Sequence, residues 1–379
     1  MQLGEELESS LANYFTFVAS KNLPIHSWLY YKEAYAPQIV EHFIRYFDAK
    51  ESVFDPFTGI GTTPLVAKSL GLKSTGIDIS PLAVLVSRTK CADYSQKDIE
   101  DAKTELKKLF KERTEPEFKW DFELFSPRRF FSKRNYNDIC FIRERCEQME
   151  NEKVGALFLL ALLSSLPQAG FFIKDGGVLR LEKSKRAMPV KDAFKRKIKQ
   201  ILSDLEAHRI EGPTPEILLA DARNFSEGNY DCFITSPPYL NNIDYSKVYG
   251  LELSLLAMDK NASLEMRKTA LRSFITKDAH KTQVPEEVGE IGHRLPIVGE
   301  YFADMERVLK NLYKMTDVGG ALIVGNAVIQ GEHIKVDETL GKIGQRIGFE
   351  YEIPLWMERI ADVKPAKIKV RESAVIFKK

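Results

Sequence analysis

The sequence predicts a doubly wound α/β sheet that is interrupted by a large helical insertion. Short apolar segments alternate with helical segments over residues 52–90, and the same alternation returns from residue 216. The region between them has helical apolar spacing and no strand-like alternation. Because strand–helix–strand alternation builds a parallel sheet with helices on its faces, we expect residues 1–90 and 214–379 to form one domain and residues 91–213 to form the insertion.

The individual elements follow from apolar spacing and from helix start signals. Residues 36–47 have apolar side chains at helical spacing, and residues 80–90 open on Ser-Pro, which is typical of a helix start. Strands are predicted at 52–57 and 74–78, with a helix at 62–72 between them. The later predicted elements are strands at 216–221, 231–239, 320–328, 350–356 and 373–378, and helices at 244–258, 300–315 and 336–347.

Composition excludes several classes of protein. The chain has 379 residues, of which 44% are apolar and 29% charged, so it is long enough to bury its own core without disulfides. Its 55 basic and 54 acidic residues give a net charge of +1, so any nucleic-acid contact has to come from local basic patches. The four cysteines contain no C-x-x-C pair and the six histidines no HExxH spacing, so we predict reduced thiols and no metal site.

One uncharged segment is long enough to be tested as a membrane span. Residues 154–173 carry no charged side chain, but Ser164, Ser165, Pro167 and Gln168 interrupt the apolar run. We therefore expect a buried helix there and no membrane partner.

The first chemical motif is FDPFTGIGTT, residues 54–63, a strand end followed by a glycine turn and a helix start. Glycine lets a ligand approach the backbone closely, and the helix start offers free N–H groups. The absence of lysine at the helix start excludes a P-loop, and Pro64 stands where a dinucleotide fingerprint has its third glycine. The remaining option is a ligand whose amino-acid carboxylate meets this turn and whose two ribose hydroxyls donate to Asp78. The alternative is a generic turn in which Asp78 only caps a helix.

The second motif is Thr235-Ser236-Pro237-Pro238-Tyr239 at the end of a predicted strand. Two prolines end the strand ladder and fix the backbone. The Ser236 hydroxyl and the Pro237 carbonyl could accept both protons of an exocyclic amine on a nucleobase, which makes its nitrogen a better nucleophile. Tyr239 could stack on a base that has left the duplex. The alternative is a strand terminator followed by a surface tyrosine.

Together, FDPFTGIGTT, GIDISP (76–81) and TSPPY (235–239) resemble the S-adenosylmethionine-dependent DNA amino-methyltransferases of restriction–modification systems. Residues 26–40 are similar to the family's first cofactor motif, ADARNF (220–225) to its adenine-contacting segment, and 241–256 to the helix after its catalytic turn. The resemblance implies a Rossmann-like class I methyltransferase sheet formed by residues 1–90 and 214–379.

The resemblance also implies a set of site residues and a mechanism. Ser236, Pro237, Pro238 and Tyr239 are the expected catalytic residues, and the methyl group passes directly from S-adenosylmethionine to the amine, whose proton goes to water. Asp78 is expected to bind the cofactor ribose and Asp221 its adenine. The full set of expected cofactor-binding residues is Tyr31, Asp55, Pro56, Phe57, Gly59, Gly61, Thr62, Thr63, Asp78, Ile79, Asp221 and Ala222.

The resemblance favours one target base and leaves others open. Ser-Pro-Pro-Tyr after threonine looks like the cytosine-N4 group, whereas most adenine-N6 enzymes have Asp or Asn at the first position. No cysteine here follows a proline, which argues against cytosine-C5 methylation. Adenine N6 in DNA, a base amine in structured RNA, and a catalytically silent nucleic-acid-binding protein with this fold remain alternatives.

Target recognition is expected to come from the insertion, because it lies outside the predicted sheet. The candidate DNA-binding residues are Arg128, Arg129, Lys133 and Arg134, interleaved with Phe130, Phe131 and Tyr136, and a second cluster of Lys183, Lys185 and Arg186. Lys364, Lys367, Lys369 and Arg371 form a third. Double-stranded DNA and a cognate restriction endonuclease are the expected partners, in the cytoplasm and associated with the nucleoid through DNA. The stretch 259–296 could be a mobile loop near the pocket or a second recognition element.

Overall fold

A computed structural model describes residues 11–31, 34–111, 115–122, 125–175, 177–241, 243–256, 260–274, 282–361 and 368–379. The strands are β1 (Ser52–Asp55), β2 (Lys73–Asp78), β3 (Phe172–Asp175), β4 (Val178–Leu181), β5 (Glu216–Leu219), β6 (Tyr230–Thr235), β7 (Thr316–Gly325), β8 (Ala327–Ile329), β9 (Glu332–Ile334), β10 (Glu350–Ala361) and β11 (Ile368–Lys378). The helices are α1 (Pro37–Tyr46), α2 (Thr62–Ser69), α3 (Pro81–Cys91), α4 (Gln96–Lys108), α5 (Lys133–Glu147), α6 (Glu152–Ala169), α7 (Val190–Ala207), α8 (Tyr245–Val248), α9 (Gly250–Leu255), α10 (Lys260–Thr269), α11 (Glu290–Arg294), α12 (Pro296–Met315) and α13 (Val336–Ile347).

Seven of the described strands form one sheet, in the order β10-β11-β7-β6-β1-β2-β5. The five strands from β7 to β5 are parallel to their neighbours, and β11 is antiparallel to both β7 and β10. The predicted doubly wound sheet is therefore confirmed. The strand order reverses between β1 and β6, and ligands of such sheets bind outside the carboxyl ends of the strands at this point.

Each face of the sheet is covered by its own helices because side chains alternate along the strands. Val53, Ile234 and Ile323 pack towards α1 and α2 on one face. Phe54, Phe233 and Leu322 pack towards α12 and α13 on the other. The helix α12 has Pro296 at its first position, which has no N–H that would need a partner there.

The helices of the insertion form a further layer outside α2 and α3. Leu65 of α2 and Val86 of α3 share one apolar cluster with α4, α5, α6 and α7, and this cluster includes none of the seven strands of the main sheet. Most of the apolar run predicted as a buried helix at 154–173 lies in α6, which ends at Ala169. In the part of the chain that the structure describes, no helix is long and apolar enough to cross a membrane.

The structure corrects the predicted elements at three places. The insertion contains an antiparallel hairpin, β3–β4, which the strand-free prediction missed although Gly176-Gly177 separates two apolar runs. The strand predicted at 320–328 begins earlier and ends at Gly325, and β8 instead pairs with β9. The closing strands β10 and β11 are longer than predicted and extend past the last β7–β11 pair, which joins Gly325 to Glu372.

Candidate functional site

The two predicted motifs meet in one pocket at the carboxyl ends of β1, β2, β5 and β6. The pocket measures about 1260 Å³ including its open mouth. From the predicted set, its lining includes Tyr31, Pro56, Phe57, Gly59, Thr62, Asp78, Ile79, Asp221, Ala222, Ser236, Pro237, Pro238 and Tyr239.

The glycine turn after β1 is held against the end of β2. The Gly59 N–H donates to Asp78 Oδ2 at 3.0 Å, and the Thr58 N–H donates to the Ile77 carbonyl at 2.9 Å. Gly59 has a positive φ of 50°, a conformation that side chains disfavour. The turn thus presents its backbone to the pocket.

Asp78 is placed to bind hydroxyl groups of a ligand. Besides the Gly59 bond, its Oδ1 accepts from the Ser80 N–H at 2.8 Å, and the carboxylate lines the pocket. Burial raises the pKa of Asp78 to about 6, although the backbone N–H groups of Ser80 and Gly59 oppose the shift. The side chain is therefore ionised at neutral pH and keeps acceptor capacity on both oxygens.

Three predicted cofactor residues support the pocket from behind and do not line it: Asp55, Gly61 and Thr63. Asp55 is buried and accepts from the Tyr35 hydroxyl at 3.0 Å and the Thr235 hydroxyl at 2.5 Å. Burial raises the pKa of Asp55 to about 6, against the effect of these donors. Because Thr235 immediately precedes Ser236, the Asp55 carboxylate connects the glycine turn to the Ser-Pro-Pro-Tyr turn.

Gly61 and Thr63 have packing and hydrogen-bonding roles. Gly61 has a φ of 80°, and a Cβ there would overlap the Ser87 hydroxyl of α3, so the glycine lets α2 begin close to that helix. The Thr63 hydroxyl lies 2.5 Å from that of Tyr35 and donates to the Ile234 carbonyl at 3.2 Å. Neither Gly61 nor Thr63 lines the pocket.

Asp221 has a partner that the sequence analysis missed. Arg223 donates to Asp221 Oδ2 at 2.7 Å and reaches Asp304 Oδ2 of α12 at 3.0 Å. It also donates to the Thr269 carbonyl at the end of α10, and the Arg272 N–H donates to Asp304 at 3.2 Å. One arginine and one buried carboxylate thus join the end of β5 to the segment around α10.

Removing this buried carboxylate is expected to destabilise the fold. The Asp304→Ala substitution leaves Arg223 without one partner and the Arg272 N–H without its acceptor in a region that excludes water. Breaking a buried ion pair typically costs about 3–5 kcal/mol, so we expect a loss of about 3 kcal/mol in the free energy of unfolding. Urea denaturation measures it. The exposed Asp317→Ala variant is the control, expected to change stability by less than about 0.5 kcal/mol; equal losses in both variants would contradict the assignment.

The third wall of the pocket comes from chain outside the glycine turn and the Ser-Pro-Pro-Tyr turn. The Tyr249 ring stacks on Tyr31 with centroids 4.7 Å apart, and the Lys174 Nζ lies 3.8 Å from the Tyr249 centroid. Lys174 belongs to β3, so the insertion supports this wall. Residues Met266 to Phe274 supply further lining atoms. The described part of the stretch 259–296 therefore contains an ordered pocket wall as well as α11.

The Ser-Pro-Pro-Tyr turn also has a partner that the sequence analysis missed. Ser236 and Tyr239 line the pocket, and the Tyr239 hydroxyl donates to Glu372 Oε1 of β11 at 2.5 Å. Glu372 lies more than 130 residues further along the chain, so no local pattern could have indicated it.

The predicted DNA-binding residues are mostly exposed, but their aromatic neighbours are not. Arg128, Arg129, Lys133 and Arg134 are exposed, as are Lys183 and Arg186. Phe131 and Tyr136 are each only 5% exposed and belong to the core, which corrects their expected role in stacking. Lys185 is half-buried and donates to the Phe172 carbonyl at 2.8 Å. Lys364 and Lys367 lie outside the described residues, and Arg371 donates to Asp337 at 2.7 Å.

No metal-binding cluster of histidine, cysteine or acidic residues occurs among the residues that the structure describes. All four cysteines are buried, and none forms a disulfide.

The chain is similar along most of its length to two type II methyltransferases. It is 24% identical over 423 residues to M.BsoBI of Geobacillus stearothermophilus, which covers 91% of this chain and 82% of that protein. It is 24% identical over 416 residues to M.AvaI of Nostoc sp. strain PCC 7120, covering 93% and 84%. A solved SAM-dependent methyltransferase from Methanosarcina mazei aligns over 87% of this chain and 93% of its own, with a TM-score of 0.31 and 10% identity. No protein-family model matches the chain.

Proposed function

We propose that this chain is an S-adenosylmethionine-dependent DNA methyltransferase of the type II class, and that it methylates the exocyclic N4 amine of cytosine in duplex DNA. The observation that carries the proposal is the convergence of the glycine turn and the Ser-Pro-Pro-Tyr turn on one pocket. The similarity to type II methyltransferases over more than nine-tenths of the chain supports the reaction class. Ser236 at the first position of the turn supports cytosine as the base.

The residues at the pocket fit S-adenosylmethionine. The start of α2, which follows the glycine turn, offers N–H groups suited to a carboxylate. Asp78 offers acceptor oxygens suited to ribose hydroxyls, and Ala222 an apolar surface suited to adenine. The Asp221 carboxylate is held by Arg223, which fixes its orientation towards an adenine amine. When bound, S-adenosylmethionine supplies a methyl group on its sulfonium.

The protein's own part in the reaction is to hold and polarise the target amine. Ser236 and the Pro237 carbonyl accept the amino protons, which directs the nitrogen lone pair out of conjugation. Tyr239 contacts the face of the flipped base. Positioning alone can supply about 7–11 kcal/mol of a barrier, and oriented dipoles stabilise the positive charge that develops on the nitrogen. The proton then leaves to water.

The affinity for S-adenosylmethionine is expected to fall below about pH 6. Burial raises the pKa of Asp78 to about 6, and ribose hydroxyls donate more strongly to the ionised carboxylate than to the neutral carboxyl. Lowering the pH protonates the carboxyl, so binding has to displace a proton and weakens by up to about tenfold per pH unit. Titration calorimetry between pH 5 and 8 measures this. The Asp78→Asn variant should lose the dependence; if it keeps the dependence, another group such as Asp55 is responsible.

The exposed basic cluster is expected to contribute to DNA binding. Replacing Arg128 and Arg129 with glutamate removes two phosphate contacts. The slope of log K against log salt concentration should then become shallower by about two. Fluorescence anisotropy with a short duplex at several salt concentrations measures it. Lys50 and Lys73 lie at the amino ends of the strands, away from the pocket, and their reversal is the control. If the variant has a slope as steep as that of the wild type, the cluster does not contact DNA phosphates.

Sequencing with modification detection on DNA from cells that express the protein tests the proposed function. We expect N4-methylcytosine at one recurring sequence, confirmed by mass spectrometry of nucleosides, and its absence in cells that express the Ser236→Ala variant. N6-methyladenine instead would overturn the choice of base. Cofactor binding without methyl transfer to any DNA or RNA would overturn the proposed enzymatic activity and favour a catalytically silent nucleic-acid-binding protein. A cognate restriction endonuclease is proposed as the functional partner.

A further inference from the structure

Tyr239 is held at its hydroxyl by a residue from the far end of the chain. The hydroxyl donates to Glu372 Oε1 at 2.5 Å. Glu372 is 4% exposed, so water does not compete for this bond. A hydrogen bond to an ionised acceptor is about twice as strong as a neutral one. The bond therefore restrains the ring that the proposed function places against the target base.

A cation on the neighbouring strand lies close to the Glu372 carboxylate. The Arg359 Nε of β10 lies 3.5 Å from Glu372 Oε2, and its guanidinium carbon lies 5.7 Å from the Tyr239 ring centroid. Arg359 thus contacts both the carboxylate and the ring. A buried carboxylate without such a partner would be costly.

The strand on the other side of Glu372 leaves space for this arrangement. Glu372 pairs with Gly325, the last residue of β7. A Cβ on Gly325 would lie 2.7 Å from Arg359 Nη2 and 3.0 Å from Tyr239 Cδ2. A side chain at this position would therefore displace the guanidinium and crowd the ring.

We propose that Glu372 is a positioning residue for the methyl transfer: it holds Tyr239 in place through the hydrogen bond from the phenol. Arg359 lies against both the carboxylate and the ring, and Gly325 leaves space for them. This inference rests on the proposed function. Because the phenol proton is committed to Glu372, the phenol oxygen is left as an acceptor.

Single-turnover methylation of a duplex that contains the mapped site tests the proposal. We expect Glu372→Ala to slow transfer about 10- to 100-fold, since small misplacements in an active site have effects of this size. Glu372→Gln keeps an acceptor oxygen and should stay within about threefold of the wild type. S-adenosylmethionine affinity by calorimetry should not change in either variant. Glu358→Ala, an exposed glutamate of β10, is the matched control and should have the wild-type rate.

A double-mutant cycle separates this role from general support of the fold. Tyr239→Phe removes only the hydroxyl and should be as slow as Glu372→Ala, and the double variant should be no slower than either. The proposal is overturned if the rate losses of the two single variants multiply in the double variant. It is also overturned if Glu372→Gln is as slow as Glu372→Ala. Tyr239→Phe keeps Glu372 and the ring, so its transfer at the wild-type rate would overturn it even if Glu372→Ala does not fold. An inactive wild-type protein would instead refute the proposed function.

Discussion

Replacing Ser236 with alanine is expected to lower the turnover number by about 100- to 1,000-fold and to leave the affinity for S-adenosylmethionine unchanged. The hydroxyl lines the pocket and is one of two oxygens proposed to accept protons from the target amine. Its removal takes away a preorganised group that acts on charge developing in the transition state, and losses of this kind fall in that range. The residues proposed to bind the cofactor follow other strands, so cofactor binding should not depend on this hydroxyl.

Single-turnover kinetics and calorimetry on the same preparation separate the two quantities. The exposed Ser184→Ala variant controls for the loss of a serine hydroxyl elsewhere and should match the wild type. An unaltered methylation rate in Ser236→Ala would remove Ser236 from the mechanism. A loss of cofactor affinity equal to the loss of rate would place Ser236 in the cofactor site instead.

Replacing Asp78 with alanine is expected to weaken S-adenosylmethionine binding by about 10- to 100-fold. The carboxylate is proposed to accept from the ribose, and hydrogen bonds to a charged group contribute about 1.5–3 kcal/mol each. The substitution also removes the acceptor for the Gly59 N–H, so the glycine turn loses one of its supports. Both effects act on the same ligand and should add in the measured affinity.

A carboxylate in a similar setting provides the control for Asp78. Asp231 also accepts from backbone N–H groups, those of Lys50 and Glu51 at 2.6 and 2.8 Å, but at the opposite edge of the sheet. Asp231→Ala should lower the melting temperature without changing the affinity for the cofactor. Calorimetry that finds wild-type affinity in Asp78→Ala would exclude Asp78 from the site.

The local part of the candidate site could be predicted because each motif is a continuous segment. The glycine turn, Asp78 and the Ser-Pro-Pro-Tyr turn all follow strands, and the carboxyl ends of parallel strands meet at one edge of a sheet. Their convergence in one pocket follows from that rule. The same reasoning could not separate the residues that line the pocket from those behind it, such as Asp55 and Thr63. That distinction depends on which way a side chain leaves the turn.

The contacts that hold these residues in place could not be predicted in the same way. Glu372 reaches Tyr239 from β11, Asp304 reaches Arg223 from α12, and Lys174 reaches Tyr249 from the insertion. Each pair is separated by tens of residues or more, and a lone acidic or basic residue carries no local signal of its partner.

The sequence by itself determined which chemical features follow the strands and in which order: a glycine turn, an acidic strand end and a double-proline turn, all within an α/β alternation. Apolar periodicity and proline and glycine positions act over a few residues, so they are readable without a fold. Only the tertiary structure decided that Arg223 and Tyr249 line the pocket, that Glu372 accepts from Tyr239, and that Phe131 and Tyr136 are core residues. Burial and long-range pairing arise when distant segments pack together and exclude water, and no single segment contains that information.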